Sequence, residues 1–302
     1  MNCEFCDRLK ATFKDIEILK DEPMKKHTTF RVGGPAEMYV SPSLDEISEI
    51  MAAAGEFGIP VTIIGNGSNL LVGDKGISGL VLEIGKEAEE ITVEGNRLRV
   101  SAGAMLSKAA NVAASNKLGG MEFAAGIPGS LGGAVVMNAG AYGGEMKDII
   151  ESVEVLTAEG QKKTLSLKEL DLSYRHSCIQ EKGYIVLSAV LRLESRPEEE
   201  IRAVMAELRD KRVDKQPLEF ASAGSTFKRP EGYFAGKLIQ DAGLRGYSVG
   251  DAQVSEKHCG FVINRGNATA AQILQLISDV QKKVLEEFGV ELETEVKMIG
   301  EF

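Results

Sequence analysis

Between Gly119 and Gly144 the chain reads GGMEFAAGIPGSLGGAVVMNAGAYGG, with nine glycines, one charged side chain, Glu122, and no lysine or arginine. Such a segment cannot hold an anion through side-chain cations. It can hold one through bare backbone N–H groups, because glycine lets the main chain approach closely and take positive φ. Gly126-Ile127-Pro128-Gly129-Ser130 reads as a tight turn, since Pro128 presets φ and Gly129 tolerates the left-handed region. The apolar run Ala134-Val135-Val136-Met137 behind it reads as buried. One chemistry that suits these residues is a cradle for a large, flat, phosphate-bearing cofactor. The alternative is a crowded turn between core elements, where glycine serves packing only.

A second loop offers the same groups. Val61-Thr62-Ile63-Ile64 reads as a buried strand and runs into Gly65-Asn66-Gly67-Ser68-Asn69. This begins like G-x-G-x-x-G but carries Leu70 at the sixth position, and Gly73 interrupts any helix that would follow, so the dinucleotide fingerprint loses its context. Two readings remain: a loop supplying backbone N–H groups with the side chains of Asn66, Ser68 and Asn69, or a plain turn. Cys3 and Cys6 form C-x-x-C, but a zinc site needs four ligands and a thioredoxin-type motif follows a strand. No metal site is expected.

The elements that must position these loops read as α+β. An N-terminal helix is expected over Leu9–Leu19, and a short strand at Met38–Val40. Ser43 and Glu46 form a capping box for a helix with Leu44, Ile47, Ile50, Met51, Ala54 and Phe57 on one face, stopped by Gly58. A hairpin pairs Ile91–Val93 with Leu98–Val100. A helix over Met105–Lys117 has Gly119 just past its end. Strands follow at Val153–Leu156, Lys163–Leu167 and Tyr184–Leu193. Few helices interrupt this middle region, which argues against a doubly wound parallel sheet. Composition shifts at Ser195-Arg196-Pro197, giving a domain boundary near 197 and a helix with Ile201, Val204, Met205 and Leu208 on one face. The last helix carries Ile273, Leu276, Ile277, Val280, Val284 and Phe288 and stops at Gly289, before a strand over Val290–Ile299.

At 302 residues, 43% hydrophobic and 26% charged, the chain has the composition of a globular protein of two or three domains. A net charge of -10 argues against nucleic-acid binding. No run of 18 apolar residues suggests a membrane span, and MNCEFCDRLK has no apolar signal core, so a cytoplasmic location is expected. Four cysteines are too few for a disulfide framework.

Six segments in order resemble the UDP-N-acetylenolpyruvoylglucosamine reductase family. They are Thr29-Phe30-Arg31-Val32-Gly33-Gly34-Pro35-Ala36, Gly65 through Val72, Glu122 through Gly143, Tyr174-Arg175-His176-Ser177, Ala223-Gly224-Ser225-Thr226-Phe227-Lys228 and Glu295 through Gly300. The resemblance covers nearly the whole chain from about Thr29. It implies a two-lobed FAD-binding domain of the vanillyl-alcohol-oxidase (PCMH) type over 1–197, with lobes at about 1–80 and 81–197. A C-terminal α+β substrate domain would occupy 198–302. It also implies non-covalent FAD, NADPH as co-substrate, a UDP-sugar substrate, a monomer, and a role in peptidoglycan synthesis, and hence in cell shape and division. Too few residues separate Ser177 from Tyr184 for the extra tyrosine-bearing loop of some members, so this is the shorter type.

By the same resemblance Ser225, Arg175 and Glu295 are catalytic. Ser225 would give a proton, with Lys215 or Lys228 stabilising its conjugate base; Arg175 would meet the charge that builds on the substrate; Glu295 would polarise its carboxyl group. Flavin contacts are expected at Gly65, Asn66, Gly67, Ser68, Asn69, Leu70, Gly126, Ile127, Pro128, Gly129, Ser130, Gly132, Gly133, Asn138, Ala139 and Gly140. Substrate contacts are expected at Tyr142, Tyr174, Arg212, Lys215, Arg229 and His258. Arg229 stands where many members have Asn, which replaces an amide by a guanidinium suited to an anionic group of the UDP-sugar. Taken without the resemblance, Lys211, Arg212 and Lys215 read equally well as the solvated end of a helix, Ser225 as a turn residue, and His258 as a core or surface histidine. Glu291 and Glu293 read as a solvated strand face. Two other functions share the fold: an FAD oxidase, or a flavin or nucleotide-sugar module without catalysis. Many oxidases hold flavin covalently through His or Cys, and neither occurs in Gly65–Leu70 or Gly119–Gly144.

Overall fold

A computed structural model describes residues 3–302. The described chain forms two compact units, one of residues 3–19, 39–66 and 79–212, the other of residues 20–38, 67–78 and 213–302. The second unit thus takes segments from the first 80 residues as well as the C-terminal third.

The first unit is built on a five-stranded antiparallel sheet. Its strands run, edge to edge, Lys162–Ser166, Ile150–Leu156, Ile185–Arg192, Arg97–Ser101 and Ile91–Glu94. Val153 lies opposite Ala189 and Val155 opposite Val186, and all four are buried; the register shifts between Glu154 and Val155, so two residues on one strand face three on the other. Helix Leu106–Ser115 presents Leu106, Ala109, Ala110, Ala113 and Ala114 inward at helical spacing. Helix Leu44–Glu56 starts where the sequence expects: the Ser43 N–H and hydroxyl both donate to the Glu46 carboxylate at 2.8 Å. Gly58, at φ 64°, follows its end. Strand Val61–Ile64 pairs in parallel with 80–83, three of its four residues only half-buried.

The N-terminal helix spans Cys3–Thr12 rather than Leu9–Leu19, and Leu19–Pro23 is a strand. Ile16 and Ile18, β-branched and alternating with acids and lysine, favour extended backbone there. Helix 106–115 is shorter than expected. Lys117 takes the left-handed position (φ 59°), and Leu118-Gly119 pair instead with Glu194-Ser195. Helix Glu198–Lys215 forms, but of its expected apolar face only Ile201 is buried and Val204 is 37% exposed.

The second unit packs helix Ala270–Phe288 with the antiparallel strands Ser248–Val249, Ala252–Val254 and Val262–Asn264 and helix Ala235–Asp241. Thr269 Oγ1 accepts from the Gln272 N–H and Gln272 Oε1 from the Thr269 N–H, and Gly289 (φ 65°) ends the helix as expected. Asp74 reaches the same helix start, its carboxylate accepting from the Ala270 and Ala271 N–H groups at 2.7 and 2.9 Å. Strand Leu70–Val72 lies parallel to Lys297–Ile299. The strand expected over 290–299 is confined to those last three residues, with one bridge at Thr294.

Candidate active site

In the first unit the glycine-rich stretch becomes a 3-10 turn at Glu122–Ala124, a loop, helix Leu131–Val136 and a tight hairpin pairing Gly140-Ala141 with Gly144-Glu145. Two of its loops meet: Asn66 Nδ2 donates to the Pro128 carbonyl at 2.6 Å. A Cβ at Gly65 would stand 2.5 Å from Ser130 Oγ. That hydroxyl is buried and has no hydrogen-bond partner among the described residues. A buried orphan hydroxyl beside a glycine with no room for a side chain fits a bound polar group. Gly133 is open, its Cβ position meeting only Ser130 Oγ, at 3.8 Å. Gly65, Asn66, Ser130 and Gly133 thus fit the edge of a phosphate-bearing cofactor such as FAD.

Other positions expected to touch the flavin follow the packing alternative. Gly132 sits 3.1 Å, by its Cβ position, from Ala102 Cβ, and its N–H donates to the Ala102 carbonyl. Gly140 is tight against Glu145. The Ile127 N–H donates to Ala124, the Gly129 carbonyl accepts from Leu106, and Ala139 spends both backbone groups, on Ala134 and Met146. Pro128 is exposed.

The Tyr174-Arg175-His176-Ser177 motif is a two-residue hairpin turn in which Ser173 and His176 exchange backbone hydrogen bonds of 3.2 Å. Arg175 sits at φ 55°, a turn position that favours glycine. Such a residue costs on the order of 1–3 kcal/mol and clusters at functional sites. Its guanidinium lies 5.3 Å from the Tyr174 ring centroid, with Nη2 3.4 Å from the Gly140 carbonyl. Ser177 Oγ donates to the Val136 carbonyl at 2.8 Å, fixing the turn to the end of the short helix. Tyr142 and Tyr174, 45% and 53% exposed, present their rings outward.

A cavity of ≈ 370 Å³ opens in this unit, lined by Glu122, Phe123, Gly126, Tyr142, Leu208, Arg209 and Arg212 among others. Arg212 lies against Gly126, with Cδ 3.2 Å from the Cβ position. Burial pushes its pKa below the usual range while Tyr142 acts the other way, and among the described residues no carboxylate pairs with it. A half-buried, unpaired guanidinium is suited to an anionic ligand. Glu122 Oε2 accepts from the Gly120 N–H at 2.7 Å. Its Oε1 has Arg196 Nη1 at 3.5 Å, an ion-pair separation without hydrogen-bond geometry.

In the second unit Ser225 and Glu295 come from adjacent chain segments. The Glu295 N–H donates to the Thr226 carbonyl at 2.8 Å, Ser225 bridges Phe261, and Phe227 bridges Thr294. Asn69 joins them: its Nδ2 donates to the Glu295 carbonyl at 3.0 Å and its carbonyl accepts from the Lys297 N–H. Thr226 is buried and bonded at Oγ1 to the Val262 N–H, whereas no hydrogen bond ties the Ser225 hydroxyl among the described residues. Ser225 therefore does not play the turn-bonding role that follows many glycines. Gly67 is required for packing, since a Cβ there would collide with the His27 carbonyl, and Leu70 and Ser68 continue the loop into the parallel pair.

Lys228 pairs with Glu293 at 2.8 Å and holds that carboxyl below its usual range. Glu293 is thus an ion-pair partner rather than only a solvated face, and Lys228 is committed to it. Lys215, the last residue of its helix, is exposed. Arg229 stacks on Phe234, 4.0 Å from the ring centroid, and donates from Nε to the Tyr233 carbonyl. His258 is packed beside Gly236 and Gly260, accepts at Nδ1 from the Gly260 N–H at 3.1 Å, and has its pKa lowered by burial. That environment suits the core-histidine reading.

Residues 36–166 match the family described as FAD binding domain, and residues 216–299 match the C-terminal domain of UDP-N-acetylenolpyruvoylglucosamine reductase. The reductase of that name from Agathobacter rectalis is 62% identical, with 100% of each chain covered. The chain belongs to the UDP-N-acetylenolpyruvoylglucosamine reductase family. Its counterpart from Caldanaerobacter subterraneus is 53% identical over 98% of both chains. The crystal structure of the Thermus caldophilus reductase superposes with a TM-score of 0.81 at 38% identity, covering 94% of this chain and 98% of that one. An alkyldihydroxyacetonephosphate synthase structure, 18% identical with a TM-score of 0.50 over 65% of this chain, shares the fold alone. The chain is thus an FAD-dependent oxidoreductase of the reductase family, α+β in class, with the PCMH-type flavin domain. Among the described residues no helix is long and apolar enough to cross a membrane.

The sequence points to the loops at Gly65–Leu70 and Gly126–Gly133 and to the motifs carrying Arg175, Ser225 and Glu295. It gives no sign of the cavity beside Arg212 or of the committed state of Asn138, whose side-chain amide is bonded three times within the protein.

Proposed function

We propose that this chain reduces the enolpyruvyl ether of UDP-N-acetylglucosamine-enolpyruvate to UDP-N-acetylmuramate, with NADPH as electron source, as a cytoplasmic monomer. By the resemblance, flavin binding belongs to 1–197 and substrate binding to 198–302, a division by role that does not follow the two compact units. Gly65, Asn66, Ser130 and Gly133 would hold the edge of FAD, which when bound would supply hydride chemistry between NADPH and the β-carbon of the enolpyruvyl group. Negative charge then builds on the α-carbon and its carboxylate. Arg175 offsets it with a planar, permanently charged fork. Glu295 polarises the same carboxyl group, and Ser225 delivers a proton to the α-carbon. One hydride and one proton thus saturate the double bond, and both electrons come from NADPH. Tyr142, Tyr174, Arg212, Lys215 and Arg229 hold the UDP-sugar, whose negative charges give basic groups in an acidic protein their purpose.

The observation that carries this reading is the untied Ser225 hydroxyl next to Thr226, whose carbonyl holds the Glu295 backbone. A donor must be within reach and uncommitted before its pKa matters. The test is anaerobic. The purified yellow protein should bleach with NADPH, and added enolpyruvyl UDP-sugar should restore the colour with one equivalent of UDP-N-acetylmuramate per flavin. Colour that returns only with oxygen would instead make the chain an oxidase, and no bleaching at all would make it a binding module.

A further inference from the structure

Asn138 is 1% exposed, yet its backbone lies at φ 40°, in the left-handed region. Its Nδ2 donates to Glu145 Oε2 at 2.6 Å and to the Ser173 carbonyl at 3.0 Å. Its Oδ1 accepts from the Lys147 N–H at 2.9 Å. One side-chain amide therefore joins three segments: the end of helix Leu131–Val136, the hairpin carrying Tyr142, and the turn carrying Tyr174 and Arg175. The hairpin side is braced further, since Lys147 Nζ pairs with Glu145 at 2.5 Å and the Glu145 N–H donates to Asp148 at 2.9 Å. The Arg175 turn has a second brace, Ser177 Oγ on the Val136 carbonyl.

With three of its four hydrogen-bonding positions committed inside the protein, the Asn138 amide has little left for a flavin. Both turns it joins are strained at the tip, with Tyr142 at φ 53° and Arg175 at φ 55°, and strained turns hold their shape only when neighbours over-determine it.

We infer that Asn138 is a positioning residue that sets the Tyr174-Arg175 turn against the Tyr142 hairpin, acting on the reaction through Arg175. The inference rests on the reading of Arg175 as the group that meets charge on the substrate. Asn is the residue type this position needs: it tolerates the left-handed region and supplies two donors and an acceptor together.

The test is a double-mutant cycle on the flavin-loaded enzyme with Asn138→Asp and Arg175→Lys, each half-reaction followed separately. Asn138→Asp keeps the shape and the acceptor for Lys147 but loses both donors and faces Glu145 with a like charge. It should retain FAD and react normally with NADPH, while the enolpyruvyl half-reaction slows by up to about 10²-fold, the scale of a misplacement near 1 Å. The double variant should be no slower than Arg175→Lys alone, because both changes remove the same function. In protein stripped of flavin, hydrogen exchange should quicken in peptides covering 140–147 and 170–177 and nowhere else. Asn138→Gly, which suits the backbone, replaces Asn138→Asp should the latter not fold.

Losses that multiply in the double variant overturn the inference. So does an Asn138→Asp enzyme with wild-type rates, one that slows both half-reactions equally, one that sheds its FAD, or failure of both variants to fold. Wild-type turnover by Arg175→Lys would overturn the underlying reading of Arg175, a result separate from any of these.

Discussion

The Glu295 N–H donates to the Thr226 carbonyl at 2.8 Å, so Ser225 and Glu295 sit on two segments held together at that point by main chain rather than by either of their side chains. Substituting either side chain leaves that bond in place. The positions of the proposed proton donor and the proposed polarising carboxylate can therefore be probed one at a time without refolding the strand pair.

Gly65→Ala should cost flavin rather than stability. The added Cβ would stand 2.5 Å from Ser130 Oγ. It would push that hydroxyl out of the orphaned position that fits a bound polar group. The expected outcome is a folded, pale protein whose A450 to A280 ratio falls well below wild type. Gly140→Ala should instead show its effect in the melting temperature, because that glycine packs on Glu145. A fully yellow Gly65→Ala protein would remove this loop from the flavin site.

Asp74 caps helix Ala270–Phe288 from a distant point in the chain, accepting from two of its first N–H groups. Asp74→Ala leaves those donors to Thr269 and water. The expected loss is about 1 kcal/mol in urea unfolding of the second unit, as for other lost caps. An unchanged midpoint would show that the Thr269 and Gln272 box suffices.

His258 sets a pH dependence whose sign follows from burial. Its folded pKa lies below the ordinary value of 6.5, so below that pH the unfolded chain binds more protons than the folded one. Stability therefore falls as pH drops through 6.5 toward the folded pKa, and the slope from His258 fades as pH rises above 6.5. His258→Gln should flatten the melting temperature across that window. A slope as steep as wild type would place its origin elsewhere.

Local signals were legible where one short segment decides the structure. The Ser43 and Glu46 box and the Gly289 stop needed only neighbours three or four residues away. The stretches 248–264 carry strands of two or three residues, too short for any period to show. Glycine type alone does not separate the positions. Gly65 and Gly132 look alike in sequence, but one faces an orphan hydroxyl and the other Ala102, which only the folded partner decides. Asn138 stands among the expected cofactor residues by its motif alone. Its bond to the Ser173 carbonyl spans 35 residues, and no local pattern announces it.

The central claim is that Ser225 supplies the proton. Stopped-flow absorbance of the Ser225→Ala enzyme tests it most directly, with NADPH and the enolpyruvyl UDP-sugar mixed in separate shots. The expected NADPH half-reaction is close to wild type and the enolpyruvyl half-reaction slower by about 10² to 10⁴, the range for loss of a positioned proton donor. Ser225→Cys should recover part of that loss, since a thiol can also donate. A Ser225→Ala enzyme that slows both halves equally, or restores its colour at the wild-type rate, would remove Ser225 as the proton donor.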